Sequence, residues 1–122
     1  MNGGSYSETT IREVAIPTGE TGLSDVVDIE GYTHAVILVP ADWVTATSVT
    51  FQAAASSGGT FYDVYDDQGN EMTVTVAASR AVALVYAPIS LPAARYIKLR
   101  SGTTASAVDQ TNSPTLVMLL KG

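Results

Sequence analysis

The chain has 122 residues and a mass of 12.7 kDa, the size of one domain with a single hydrophobic core. Its formal net charge is −6 and only 15% of its residues are charged, against about 25% in an average soluble domain. Six scattered basic residues make no footprint for nucleic acid or an anionic membrane, and the absence of cysteine excludes disulfides, thiolate zinc sites and cysteine nucleophiles.

Residues 1–8 are small and polar, and we expect them to form a flexible N-terminal arm in front of a β-sandwich domain over residues 9–122. The opening MNGGSYSETT has no basic region followed by an apolar run, so it does not resemble a signal peptide. No apolar run approaches the ~18 residues of a membrane-spanning helix.

The first half of the domain is predicted to contain strands over residues 9–16, 23–29 and 33–39. The loop PTGETG separates the first two, and Pro40 ends the third. The third strand reads THAVILV, continuously apolar and β-branched, so we expect it to be central and buried on both faces.

Residues 48–77 are predicted to form a half-buried β-meander around which the rest of the chain is arranged. Apolar Val49, Phe51 and Ala53 alternate with their neighbours, which predicts one buried face. Turns follow at SSGG (56–59) and DQGN (67–70), giving further strands over 60–66 and 72–76.

The second half is predicted to contain strands over residues 80–86, 95–100 and 115–120, with a long polar loop over 101–114. The last strand, TLVMLL, also reads as buried on both faces. Eight or nine short antiparallel strands without a helix predict an all-β, single-domain β-sandwich or jelly roll. Strands buried on both faces suit either a covered sandwich sheet or a subunit interface.

The acidic residues Asp63, Asp66, Asp67 and Glu71 are the only concentration of charge. Their spacing does not match the pattern of a calcium-binding loop, and the flanking segments are predicted strands instead of helices. A polar hairpin turn is therefore the preferred interpretation over a Ca²⁺ site. A glycosidase carboxylate pair is disfavoured as well, because strand alternation puts Asp63 and Asp66 on opposite faces.

The single histidine, His34, has no nearby ligand or triad partner in motif form, and we interpret it as structural. The aromatic residues are read mainly as core and sheet-edge rings. Tyr62, Tyr96 and Trp43 leave open a sugar-stacking surface. No catalytic, cofactor-binding or metal-binding residue is assigned.

Three basic residues, Arg95, Lys98 and Arg100, lie at one predicted strand. They could pair with Asp63 or Glu71 of a neighbouring subunit. Exposed pairs of this kind contribute only about 0–1 kcal/mol, so they would set register more than affinity.

Several segments resemble small structural proteins of tailed bacteriophages and prophages. The resemblance covers roughly residues 22–120. It is carried by DIEGY (Asp28, Ile29, Gly31, Tyr32), PADW (Pro40, Trp43), TFQ (Thr50, Phe51, Gln52), YDDQGNE (Tyr65, Asp66, Gly69, Glu71) and RYIKLRSGT (residues 95–103).

This resemblance implies a non-enzymatic virion component, such as a capsid decoration (cement) or head-fibre-base protein on the capsid surface. Its expected partners are the major capsid protein and its own copies, as a homotrimer or other homo-oligomer, with no nucleic acid or membrane. The expected contact elements are the termini (residues 1–8 and 119–122) and the loops 56–60 and 101–114. The alternative is a carbohydrate- or receptor-binding module on the virion surface or tail.

Overall fold

A computed structural model of the protein describes residues 9–19, 22–29, 32, 34–84 and 94–122. These residues contain nine strands and no helix, arranged in two antiparallel sheets. The prediction of an all-β sandwich is therefore confirmed. The N-terminal arm, residues 85–86 of the predicted 80–86 strand and most of the segment that follows it lie outside the described residues.

Sheet I contains four strands in the order β1, β9, β3, β7. Their bounds are β1 (Thr10–Ala15), β9 (Thr115–Lys121), β3 (His34–Val39) and β7 (Arg80–Ala83). Sheet II has β2 (Val27–Asp28), β8 (Tyr96–Ser101) and β4 (Ser48–Ala54) in that order, followed by β5 (Tyr62–Asp63) and β6 (Thr73–Thr75), which share the second edge of β4.

The strand pairings are nested about the middle of the chain. β1 pairs with β9, β2 with β8, β3 with β7, and β4 with β5 and β6. The first and last strands thus pair in one sheet, and the loop 55–61, between β4 and β5, lies at the centre of the nested pairings. The 48–77 stretch does lie at the centre of this arrangement, as its turn chemistry suggests.

The core fills the space between the sheets, where side chains of alternate residues point inward. From sheet I these include Val14, Ile37, Leu116, Met118 and Leu120, and from sheet II they include Val49, Phe51, Ile97 and Leu99, each at most 2% exposed. Burial of this aliphatic and aromatic surface is the main favourable term in folding.

The predicted three-strand meander is wrong in its pairing. The Val64 N–H bonds to the Phe51 carbonyl at 3.0 Å, whereas the Val64 carbonyl accepts from the Met72 N–H at 3.0 Å. The chain therefore leaves the edge of β4 at Val64, turns, and returns to the same edge as β6. Only Tyr62–Asp63 of the predicted 60–66 strand is a strand, and a single bridge joins Tyr65 to Glu71.

The predicted 23–29 strand is also shorter than expected. Only Val27–Asp28 is a strand, with an isolated bridge from Leu23 to Arg100. Between them, the Ser24 hydroxyl takes the place of a strand partner by accepting a hydrogen bond from the Leu99 N–H at 3.0 Å.

The polar segment after β8 contains a fully buried side chain, Gln110, which binds the segment to the 40–47 loop. Its amide oxygen accepts from the Val44 N–H at 2.9 Å, and its amide nitrogen donates to the Val44 carbonyl and the Ser101 hydroxyl at 2.8 Å each. The side chain thus imitates a strand partner for Val44. The predicted loop over 101–114 is thus joined to the 40–47 loop by these hydrogen bonds.

Candidate interaction surface

The outer face of sheet I is aliphatic. We define the aliphatic face by the apolar outward residues of two adjacent rows across its four strands: Ile11, Val36, Leu38, Ala81, Ala83, Val117 and Leu119. Ile11 is 62% exposed and Leu38 is 36% exposed. Ala81 and Ala83 are also exposed, and the other three are half-buried.

The register arranges these side chains in two rows across the sheet. One row runs Ile11, Leu119, Val36, Ala83 from β1 to β7. The next row runs Glu13, Val117, Leu38, Ala81. Glu13 is the only charged side chain in either row.

Within a single copy, residues 34–39 and 115–120 are buried on one face only, so the predicted burial on both faces is not present there, and a subunit interface over the outer face stays a prediction. The burial patterns of β3 and β9 alternate, with Ile37, Val39, Met118 and Leu120 inside and Leu38 exposed outside. In each strand, alternate residues of the continuous apolar sequence belong to the core, and the residues between them belong to the aliphatic face. A contiguous exposed apolar patch of this kind marks an interaction site in many soluble proteins.

The outer face of sheet II is polar by contrast, and Arg100 is at its centre. Arg100 is 6% exposed. Its guanidinium lies 2.5 Å from the Asp63 carboxylate and 3.3 Å from the Glu71 carboxylate, and it also donates to the Thr104 hydroxyl at 2.9 Å. We call these residues, with Thr50, the Arg100 cluster.

The Arg100 cluster holds three segments together over β4 and β8. The Glu71 carboxylate accepts from the Thr104 N–H at 3.1 Å and from the Thr104 hydroxyl. The Thr50 hydroxyl, fully buried, donates to the Gly102 carbonyl at 2.9 Å. The hairpin before β6 and the turn after β8 are thereby fixed to the outer face of sheet II.

The Arg100 cluster changes the pKa of the Asp63 carboxyl. The hydrogen bond from Arg100 lowers the pKa of the Asp63 carboxyl, and a second hydrogen bond from Gln52 adds to the effect. The expectation that Arg100 reaches Asp63 or Glu71 of a neighbouring subunit is therefore wrong, since both pairs form within one chain.

The Asp66 carboxylate stabilises the predicted turn by hydrogen bonds, so it is engaged within the turn and is not arranged to bind a cation. Its carboxylate accepts from the backbone N–H groups of Gln68 and Asn70, each at 2.9 Å, and these bonds lower the pKa of Asp66. Gly69 has a φ of +85°, as the turn requires. The preference for a hairpin turn over residues 67–70 is confirmed.

The aromatic residues divide between core and surface. Trp43 is 5% exposed and its indole N–H donates to the Ala46 carbonyl at 2.7 Å, so it is a core ring. Tyr96 is half-buried beneath the Arg95 guanidinium, 4.8 Å from its ring centre. Tyr62 and Tyr65 are exposed by 70% and 51%, and Tyr62 belongs to the edge strand β5, as expected for a sheet-edge ring.

The C-terminal residues and the loop 56–60, which were also predicted to make contacts, do not form one surface in the structure. Residues 119–121 belong to β9, within sheet I, and the loop 56–60 is exposed. His34 is exposed at the start of β3, where it is paired in register with Lys121 at one end of the aliphatic face. Residues 1–8 lie outside the described residues.

The described residues contain no group of three or more acidic, histidine or cysteine side chains that could hold a metal ion. In the same part of the chain, no helix is both long and apolar enough to cross a lipid bilayer.

No protein-family model, curated protein or solved structure matched the chain in the comparisons made.

Proposed function

We propose that the chain is a non-enzymatic structural subunit of a phage virion, positioned on the capsid surface, where it contacts the major capsid protein and copies of itself. The observation that carries the proposal is the contrast between the two sheet faces. On the outer face of sheet II the buried Arg100 is paired internally with Asp63 and Glu71, whereas the aliphatic face exposes Ile11 and Leu38 to solvent.

This contrast favours a protein neighbour. Apolar side chains gain from leaving water, and the aliphatic face has one carboxylate, Glu13, to desolvate in its two rows. A protein surface of similar composition satisfies both conditions. The acidic net charge of −6 argues against nucleic acid and anionic membranes as the occupant.

The strand order supports a more specific architecture, a jelly roll. The orders β1-β9-β3-β7 and β2-β8-β4-β5, with β6 beside β5 on the same edge of β4, are those of one long hairpin rolled into two sheets. Jelly rolls occur in viral capsid proteins and in lectins. Fold analogy alone does not assign a function, but it is consistent with the resemblance to phage structural proteins.

The proposal is tested by co-sedimentation with empty shells assembled from the major capsid protein of the same genome. Wild-type chain is expected to sediment with the shells, and Leu38→Lys is expected to sediment less because it puts a charge in the aliphatic face. Val26→Lys is the matched control, since Val26 is 37% exposed and lies outside sheet I. Absence of wild-type chain from the shell fraction would refute the proposal.

The second candidate is a carbohydrate- or receptor-binding module, favoured by the exposed rings of Tyr62 and Tyr65. Flat apolar sugar faces stack on such rings. A glycan array probed with wild-type chain and with Tyr62→Ala tests this alternative. Binding that is lost in the variant supports it, and silence of the array with wild-type chain rules it out.

A further inference from the structure

We propose that the free edge of β1 binds an extended segment of a different protein, which continues sheet I by one strand and carries a basic residue beside Glu13. The inference rests on the proposed function for the identity of that protein, because the major capsid protein is the neighbour proposed above. β1 is the outermost strand in the order β1-β9-β3-β7, so only one of its two edges is paired within the sheet.

The hydrogen-bond register shows which backbone groups lie at the free edge. The Ile16 N–H donates to the Pro114 carbonyl at 3.0 Å, and the pairing of β1 with β9 continues in the same register. In an antiparallel ladder, alternate residues bond to the same neighbouring strand, so the even-numbered residues of β1 bond to β9. The N–H and C=O groups of the odd-numbered residues therefore point away from β9, and these residues are Ile11, Glu13 and Ala15.

The backbone groups at the free edge have no hydrogen-bond partner within the part of the chain that the structure describes. β1 pairs with β9 without a bulge, and its sequence TIREVA contains no proline, so two common devices for closing a sheet edge are missing. A row of unpaired N–H and C=O groups is the template for an added strand, whose backbone hydrogen bonds supply affinity.

The side chains at this edge are accessible as well. Ile11 is 62% exposed, more than Leu38 or Val26, and Glu13 and Ala15 are also exposed. Ile11 and Glu13 stand at the β1 ends of the two rows on the outer face of sheet I. An added strand places its own side chains directly beside them, which extends both rows and removes part of Ile11 from water.

Like charges disfavour β1 of a second copy as the occupant. Since only odd-numbered residues have free backbone groups, two antiparallel copies have two registers that pair all but one residue of the strand. One register places Arg12 opposite the same residue of the second copy, and the other does so for Glu13. Like charges directly opposite each other destabilise a strand pair. The register that would place Arg12 opposite Glu13 offers no backbone hydrogen bonds, because the groups of Arg12 are bonded to β9.

The same residues define the chemistry of the partner. Glu13 is exposed on the outer face of sheet I, and a lysine or arginine beside it on the added strand is stabilising. Ile11 and Ala15 lie two residues on either side of Glu13, so apolar side chains are favoured two residues before and after the basic one. The expected segment therefore reads apolar-x-basic-x-apolar in an extended conformation.

Proline substitution tests the edge without removing a hydrogen bond inside the sheet. Glu13→Pro removes an N–H that points away from β9, and an edge strand tolerates proline at such a position. Glu13→Ala keeps this N–H and is the matched control. Glu13→Pro is expected to weaken co-sedimentation with capsid shells at least about tenfold relative to Glu13→Ala. Ala15→Pro makes the same test near the end of the strand, and circular dichroism establishes that each variant is folded.

A synthetic peptide tests the chemistry of the partner. The probe is Thr-Val-Thr-Lys-Thr-Val-Thr with blocked termini, and the control peptide has glutamate in place of lysine. The probe is expected to slow amide hydrogen exchange at Ile11, Glu13 and Ala15, and the control is expected to bind at least about threefold more weakly. Equal binding of the two peptides, or no effect of either, would contradict the assigned pattern.

The outcomes separate this inference from the proposed function. If folded Glu13→Pro and Ala15→Pro sediment with the shells as well as Glu13→Ala does, the edge of β1 is not used and the inference is overturned. If Leu38→Lys still weakens sedimentation in that case, the proposed function stands. If wild-type chain binds no shell, the proposed function fails, and the peptide experiment then decides whether the edge accepts a strand.

Discussion

The guanidinium of Arg100 lies 2.5 Å from the carboxylate of Asp63, across 37 residues of chain. Arg100 belongs to β8 and Asp63 to β5, on opposite sides of β4. This ion pair therefore spans the central strand of sheet II and joins its two neighbours. Together with the Arg100–Glu71 pair, it neutralises the buried guanidinium of this face within one chain.

Replacing Arg100 by methionine is expected to lower the free energy of unfolding by about 2–4 kcal/mol, because it leaves the Asp63 and Glu71 carboxylates partly buried without their cation. The side chains of these two residues are only 27% and 14% exposed. Urea unfolding monitored by circular dichroism measures the change.

Arg95→Met is the matched control for that experiment. The Arg95–Asp28 pair, at 3.2 Å, is 45% and 43% exposed, so its loss is expected to cost only about 0–1 kcal/mol. Equal destabilisation by the two substitutions would contradict the central role assigned to Arg100.

The stability of the protein is expected to fall in acid, with Asp63 as one cause. The folded-state pKa of Asp63 lies below the ordinary aspartate value of about 3.9, so its ionised form contributes stability above that pH. The contribution is lost as the pH falls through the folded-state pKa. Asp66 acts in the same direction, through the backbone N–H groups of its turn.

Urea unfolding at a series of pH values between 7 and 2 measures this dependence. Asp63→Asn is expected to be less stable than wild type near pH 7, with the two proteins converging below pH 4. Curves that remain parallel over the whole range would show that Asp63 ionisation does not stabilise the fold.

Gln110→Leu is expected to cost about 2–4 kcal/mol, because it leaves the N–H and carbonyl of Val44 without their side-chain partners. Faster hydrogen exchange at the Val44 amide is the specific readout. Asn112→Ala, which removes one exposed hydrogen bond of 3.2 Å to Asp42, is the control and is expected to change stability by less than about 1 kcal/mol. Unchanged exchange at Val44 in Gln110→Leu would contradict the assignment.

Gly102→Ala is expected to destabilise the protein by more than about 1 kcal/mol. Gly102 has a φ of +87°, and an added Cβ would lie 2.5 Å from the Ser106 carbonyl oxygen. At Gly58, by contrast, a Cβ would meet nothing within 4 Å, so Gly58→Ala is expected to stay within about 0.5 kcal/mol of wild type. Thermal unfolding of the two variants compares them, and similar midpoints would disprove the constraint at Gly102.

The sequence was sufficient to predict the fold class and the positions of β1, β8 and β9, because side-chain alternation and turn residues are local signals. It did not predict that β6 pairs with β4, since the choice between two strand edges depends on where the chain bends at Val64. It gave no sign of Gln110 either. That residue lies in a polar loop, and its burial depends on Val44, 66 residues earlier.

The aliphatic face was only partly predictable. The runs HAVILV and TLVMLL indicate two apolar faces on β3 and β9, and a subunit interface was one of the two explanations they allow. Composition cannot distinguish a face covered by the same chain from a face left for a neighbour. The exposure of Leu38 and Ile11 decides the question for a single copy.

The most direct test of the central claim is the reactivity of a thiol placed on the aliphatic face, measured in the dilute chain and in the chain bound to capsid shells. We predict that Leu38→Cys reacts readily with a water-soluble maleimide when dilute and is protected when bound, whereas Val26→Cys reacts equally in both states. Equal reactivity of Leu38→Cys in both states would contradict the claim that this face meets a protein neighbour.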